Sequence, residues 1–333
     1  MVIKTKRVEW IDVMKGILIL FVILSHTYPA VIYRLFFTPF FLTMFFWASG
    51  YTFSLKSDFK TFLCGKGRRL IIPFFVLGSI RVLITCVLSG QAIGESFGQF
   101  ALQINCKGDE MWFVLCLFVS SILFYGIIKM TSGRYEKLQQ KSQVVQMIMI
   151  LAISGILMIV GFFDMKAVGI KFAWELELAC VMVFYMALGF CYKKEEIRLS
   201  RLIRNEKFVA VSSILYLIIA CGIQKKSDIH AEQIPSPFLF VLTSLLAIAP
   251  LIWISETIAQ KRIKKYFIFL GQNTIFYYAF AGIVRIVLYG VLNKVGVTPD
   301  PYIVPMICTG LAAVLLVVPA KLTRNYIPWA IGG

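Results

Sequence analysis

Apolar runs of bilayer length recur along nearly the whole of this 333-residue sequence. A hydrocarbon core takes roughly 20 apolar residues to cross as a helix. By that rule, spans fall near 11–31, 35–55, 70–89, 111–130, 144–163, 173–192, 208–223, 236–255, 266–292 and 302–320. Backbone polar groups find no water in lipid, so each run must close its own hydrogen bonds as a helix. The runs are also too long for barrel strands. The expected fold is therefore an all-α integral membrane protein, a polytopic bundle of about ten transmembrane helices forming one domain over residues 1–333. The run 208–223 is short, and the run 266–292 is long enough to be tilted or broken.

Basic residues give the bundle a direction. With the N-terminus inside, 24 of the 34 Lys and Arg residues fall in inside segments and only 7 in outside ones. The remaining three, Lys15, Arg81 and Arg285, lie within spans. Every inside loop is rich and every outside loop poor, as the positive-inside rule requires, so both termini are expected in the cytoplasm. A missed helix would invert all later loops. The N-terminal Lys4, Lys6 and Arg7 precede an apolar run, but Asp12 and Lys15 interrupt it and no small-residue cleavage site follows. That pattern reads as an uncleaved first helix rather than a signal peptide.

The net charge of +17 does not mark a nucleic-acid binder. Its basic residues form short clusters between apolar runs, with no basic face beside stacking aromatics. Charged residues make up 15% of the chain, against about 25% in soluble domains. That is too few to cover a water-facing surface, so membrane lipids are the first partner. A plasma-membrane, multi-pass location follows. Homo-oligomerisation is left open, because lipid-facing and helix-facing surfaces are not separable by pattern.

Eight cysteines form no CxxC pair and no metal spacing with the two histidines, His26 and His230. Cys106 stands alone in its loop. Neither a zinc site nor a structural disulfide is expected.

Ionisable residues inside spans are costly and mark function by default. In the first run, Asp12 and Lys15 are three apart and can meet on one helix face. Lys15 and His26 are eleven apart, on nearly the same face and about 16 Å apart along the axis. His26 is the only histidine within a span, and imidazole exchanges protons near neutral pH. It reads either as a buried imidazole bonded to a neighbouring helix or as a catalytic base. Arg81 and Arg285 fall in the outer halves of their helices, at a depth similar to Glu175 and Glu177. They read as structural ion pairs or as a polar pocket for a hydroxyl-rich substrate. Trp112 marks the outer edge of its helix. The Lys66-Gly67-Arg68-Arg69 cluster reads as topology signalling or as a phosphate site. Pro73 follows it, which predicts irregular helix there.

These motifs resemble the acyltransferase 3 family of membrane O-acyltransferases. The resemblance is carried by IDVMKGILILFVILSH, with Lys15 and His26 separated by ten residues, by FFLTMFFWASGYTFS and by KGRRLIIPF, with Lys66 and Arg69 as its two spaced basic residues. MWFVLCLF, FYMALGFCYKK and LGQNTIFYY follow in the family's order. Lys66 stands where arginine is frequent. The stretch YYAFAGIV lacks the second histidine often found there, leaving His26 as the candidate base.

The resemblance implies transfer of an acyl group, usually acetyl, from cytoplasmic acyl-CoA to a hydroxyl of an extracytoplasmic acceptor such as a cell-envelope sugar. No permanently bound cofactor is implied; acetyl-CoA would be a cosubstrate. Lys66, Arg68 and Arg69 would hold donor phosphates, with Lys15 along the path, Asp12 orienting Lys15 and His26 meeting the thioester. Two other classes remain open: a transporter or flippase whose polar residues line a path, and a sensor or assembly subunit without chemistry.

Overall fold

The protein is described from a computed structural model, which covers residues 7–55, 58–90, 92–103, 111–137, 143–169, 172–223, 227–229 and 233–332. Lys4, Lys6, Cys106 and His230 lie outside these described residues. Helix is the dominant structure throughout, and the only β feature described is an isolated antiparallel bridge between Asp228 and Gln233.

The chain begins with α1 (Glu9–Ser25), α2 (Val31–Phe37), α3 (Thr43–Tyr51) and α4 (Phe59–Lys66). A π-helical turn, Gly67–Ile71, joins α4 to α5 (Ile72–Ser89). Then come α6 (Ile93–Leu102), α7 (Trp112–Lys137), α8 (Gln143–Phe163), α9 (Leu176–Lys194), α10 (Glu196–Ile203) and α11 (Glu206–Leu217). The last third holds α12 (Pro237–Leu246), α13 (Ile248–Ala259), α14 (Lys264–Gln272), α15 (Thr274–Lys294), α16 (Ile303–Leu315) and α17 (Val317–Tyr326).

Eight continuous helical stretches among the described residues are long and apolar enough to cross a bilayer. They correspond to the third through tenth expected spans, so the chain is a polytopic membrane protein. The first two spans differ in detail. The expected 11–31 run is α1, which stops after 17 residues. Tyr28 follows with φ 54°, in the left-handed region, and Pro29 comes next. The expected 35–55 run is broken into α2 and α3 around Pro39.

A broken helix inside a bundle exposes carbonyls, and neighbouring side chains take them up. The Phe36 carbonyl accepts from the Tyr216 hydroxyl. The Pro39 carbonyl accepts from Ser244 Oγ at 2.5 Å and Thr43 Oγ1 at 3.1 Å. The expected irregularity before Pro73 is the π-helical turn Gly67–Ile71, which follows Lys66 and contains Arg69. The long 266–292 run is likewise broken, at Asn273, between α14 and α15.

Helix α1 is the centre of the bundle and packs against α3, α13, α14, α15 and α16. Ile11, Met14, Leu18 and Val22 are at most 3% exposed. On the periphery, Ile156, Ile159 and Phe163 of α8 are 62–65% exposed, which places that face toward lipid. The α1–α14 contact depends on two glycines. A Cβ on Gly16 would strike the Phe267 backbone, and one on Gly271 would strike the Asp12 carbonyl. Without a hydrophobic driving force between helices in lipid, such close backbone approach supplies the packing.

Candidate functional site

Two cavities lie end to end along α1. The inner one, about 250 Å³, is lined by Lys15, Lys66 and Arg69 together with Ser49, Thr52 and apolar side chains. The outer one, about 220 Å³, is lined by His26, Arg285, Trp112, Arg34, Tyr28 and Asp228 among others. Val22 and Tyr278 line both. One turn of α1 and one tyrosine ring therefore form the boundary between a basic chamber and the imidazole.

The inner cavity gathers cations from three places in the sequence. Lys15 comes from α1, Lys66 from the end of α4, and Arg69 from the π-helical turn. No carboxylate appears among the described residues lining it. Three cations converging in a partly apolar space repel one another unless an anion joins them. Arg68, one residue from Arg69, is exposed and does not line the cavity. Within the π-helical turn, the Arg69 backbone is packed by Gly332, where a Cβ would collide.

Asp12 acts electrostatically on Lys15, and its hydrogen bonds come from other donors. Its carboxylate accepts from Arg7 Nε at 2.6 Å and from Gln272 Nε2 at 3.4 Å. Gln272 Oε1 in turn accepts from Arg324 Nη1 at 2.6 Å. The i, i+3 spacing keeps Asp12 within electrostatic reach of Lys15, while its hydrogen bonds come from Arg7 and from Gln272 at the end of α14. Asp12 thus ties α1 to the chain before it, to the helix break and to α17. Lys15 is left facing the cavity.

At the other end, His26 caps α1, with its backbone N–H bonded to the Ile23 carbonyl at 3.1 Å. Its own carbonyl accepts from Arg285 Nη1 at 2.8 Å. The Thr27 carbonyl accepts from the Tyr289 hydroxyl at 2.6 Å. Two side chains of α15 therefore satisfy carbonyls that α1 leaves open at its C-terminus. The Arg285 guanidinium lies 5.0 Å from the Tyr28 ring centroid, a cation–π contact. The Tyr278 ring centroid is 6.1 Å from that of His26.

Of the other expected site residues, one more lines a cavity and three do not. Trp112, 3% exposed, lines the outer cavity with Arg285 and His26. Arg81, Glu175 and Glu177 line neither cavity. Both glutamates are nearly buried, and Glu177 accepts from the Phe172 N–H at 3.4 Å. Glu175 and Trp174 both have left-handed backbone, φ 56° and 65°, at the start of α9.

Sequence reasoning passed over Tyr278, Arg34, Asp228 and Gln272. Tyr278 and Gln272 lie within LGQNTIFYY, so the signal was present as a motif without an assigned role. Arg34 and Asp228 sat in outside loops with no local pattern, and only the fold brings them to one cavity.

Comparison with known proteins bears on the whole chain. A family model for an acyltransferase domain, acyltransferase 3, matches residues 8–321. No curated protein and no solved structure matches the chain.

Proposed function

Since the chain belongs to the acyltransferase 3 family and is a multi-pass membrane acyltransferase, we propose that it moves an acetyl group from cytoplasmic acetyl-CoA to a hydroxyl of an extracytoplasmic, cell-envelope acceptor, in a plasma membrane. The observation that carries this reading is the pair of cavities meeting at Val22 and Tyr278. The basic one lies at the end that the charge distribution assigns to the cytoplasm, and His26 lies at the other.

In this reading Lys15, Lys66 and Arg69 neutralise the donor phosphates and diphosphate. Guanidinium and ammonium groups make charge-assisted hydrogen bonds to phosphate oxygens. The pantetheine arm then follows α1, whose residues 15 and 26 are about 16 Å apart, and brings the thioester to the Val22–Tyr278 boundary. His26 takes the proton of the acceptor hydroxyl as that oxygen attacks the thioester carbonyl. The C–S bond breaks, the ester C–O bond forms, and the CoA thiolate leaves and takes up the proton. In the same reading Arg285, bonded to the His26 carbonyl, stabilises the oxyanion of the tetrahedral intermediate. An acyl-histidine intermediate uses the same residues in two steps.

Mass analysis of envelope glycans and small metabolites from cells with and without the gene tests the reaction. The expected result is an acetyl mass increment on one hydroxyl-bearing species that disappears with the gene and returns with the unaltered protein. Flux of a small molecule with no acyl-CoA consumed by the purified protein would overturn it in favour of transport.

A further inference from the structure

Arg34 is a cation of the outer cavity that the proposed reaction leaves unused. It sits in α2, the first half of the broken second span, and lines the same cavity as His26. The short helix is held at its outer end from two directions. The Ala30 N–H donates to the Pro301 carbonyl at 2.9 Å, and the Tyr33 ring lies edge-on to Tyr302 at 6.2 Å. Among the described residues, the Arg34 side chain has no hydrogen bond and no ion pair.

Topology does not explain this arginine. Basic residues are retained on the inside by the positive-inside rule, and the outer segments hold only 7 of the 34 Lys and Arg residues. Arg34 stands on the outer side and faces a cavity rather than the surface. The other ionisable groups of the described lining are Arg285, His26, Tyr28, Tyr278 and a single carboxylate, Asp228. Arg285 is bound to the His26 carbonyl and to the Tyr28 face. The Asp228 backbone is fixed by its paired hydrogen bonds to Gln233, both 2.9 Å. Among the described residues of the lining, two guanidiniums stand against one carboxylate.

We infer that Arg34 receives an anionic group of the acceptor, a carboxylate or a phosphate, while a hydroxyl of the same molecule meets His26. The acceptor class is then an acidic sugar or a sugar phosphate rather than a neutral glycan. A guanidinium presents a planar fork of donors that matches either oxyanion bidentately. A charge-assisted hydrogen bond in a cavity shielded by lipid and protein is stronger than one to a neutral hydroxyl. The inference rests on the proposed acyl transfer only for calling the ligand an acceptor; occupancy of the cavity by an anion stands by itself.

The test therefore reads occupancy rather than turnover. The purified full-length protein in detergent is treated with diethyl pyrocarbonate, which modifies unprotonated imidazole, and the peptide carrying His26 is followed by mass spectrometry. Glucuronate, glucose 1-phosphate and glucose are titrated as protecting probes. The expected half-protection concentration for at least one anionic probe is about tenfold or more below that of glucose, the ratio that one charge-assisted hydrogen bond supplies. The two anionic arms distinguish carboxylate from phosphate. Arg34→Gln should erase the preference, and Arg34→Lys should keep part of it.

Equal half-protection by charged and neutral probes, no protection by any of them, or a preference that survives Arg34→Gln overturns the inference. If Arg34→Gln fails to fold, the probe comparison in the unaltered protein and the Arg34→Lys variant still decide. Acyl transfer that persists after His26→Ala would count against the proposed reaction and would leave this comparison unaffected.

Discussion

Arg285 Nη1 donates a 2.8 Å hydrogen bond to the carbonyl oxygen of His26, tying α15 to the outer end of α1. A helix C-terminus carries unsatisfied carbonyls and partial negative charge, so a guanidinium there is favourable on both counts. The bond also fixes the backbone that carries the imidazole. Arg285→Gln should lower kcat for acyl transfer by roughly 10²-fold, the scale of losing one oxyanion donor. Arg285→Lys should recover part of that loss. Steady-state kinetics with acetyl-CoA checks this, and a change confined to the donor KM would remove Arg285 from the reacting centre.

His26→Ala should cut transfer by about 10²- to 10⁴-fold, the contribution of a positioned general base. Thermal unfolding in detergent should be nearly unchanged, because His26 is partly exposed at the end of α1 rather than packed in its core. Retained transfer in a correctly inserted variant would rule out the imidazole mechanism.

Lys66→Gln combined with Arg69→Gln should raise the acetyl-CoA KM by roughly tenfold or more, with little change in kcat. Each charge-assisted bond to phosphate is worth about 1.5–3 kcal/mol. Arg68→Gln, which alters a side chain outside the cavity, should leave the donor KM near its starting value. Equal effects of all three substitutions would return the cluster to a general topological role.

Gly271→Val should destabilise the protein by about 1–3 kcal/mol, the range for overpacking a tight contact. Its Cβ would meet the Asp12 carbonyl, so α1 and α14 must separate. A lowered Tm in detergent is the readout. Gly290, whose Cβ would meet nothing within 4 Å, is the control position for the same substitution.

Asp12→Asn should disturb the inner cavity indirectly. The carboxylate holds Arg7 and Gln272, and Gln272 holds Arg324. Weakening this chain should loosen the α14–α15 break beside the cavity and raise the donor KM more than it lowers kcat. Recovery by Asp12→Glu would separate charge from geometry. An effect on kcat alone would argue against a positioning role.

The fold class was legible because its signals are local. Run length sets a membrane helix, and Lys and Arg on alternate loops set direction, so eight of the expected spans correspond to continuous helical stretches. The irregular segments were legible where proline announced them, as at Pro73, and where a run was overlong, as at 266–292. The Pro39 break was not foreseen, because its freed carbonyls are satisfied by Tyr216 and Ser244, some 180 and 205 residues away in sequence.

Local pattern was enough to define a directional helical bundle with Lys15 and His26 on one face of α1 and a basic cluster at one end. Those are consequences of helix periodicity and of the cost of charge in lipid. Which ionisable groups share a space was settled by packing between distant helices. Packing selected Arg69 over Arg68, gave the Asp12 carboxylate hydrogen bonds from Arg7 and Gln272, and set Arg285 on the His26 carbonyl. It also brought Arg34 to the cavity of His26 from a part of the chain with no local motif. Such meetings depend on the angles and depths at which distant helices pack, and these are fixed by close backbone contacts such as Gly16 on Phe267 and Gly271 on Asp12 rather than by any pattern within one run.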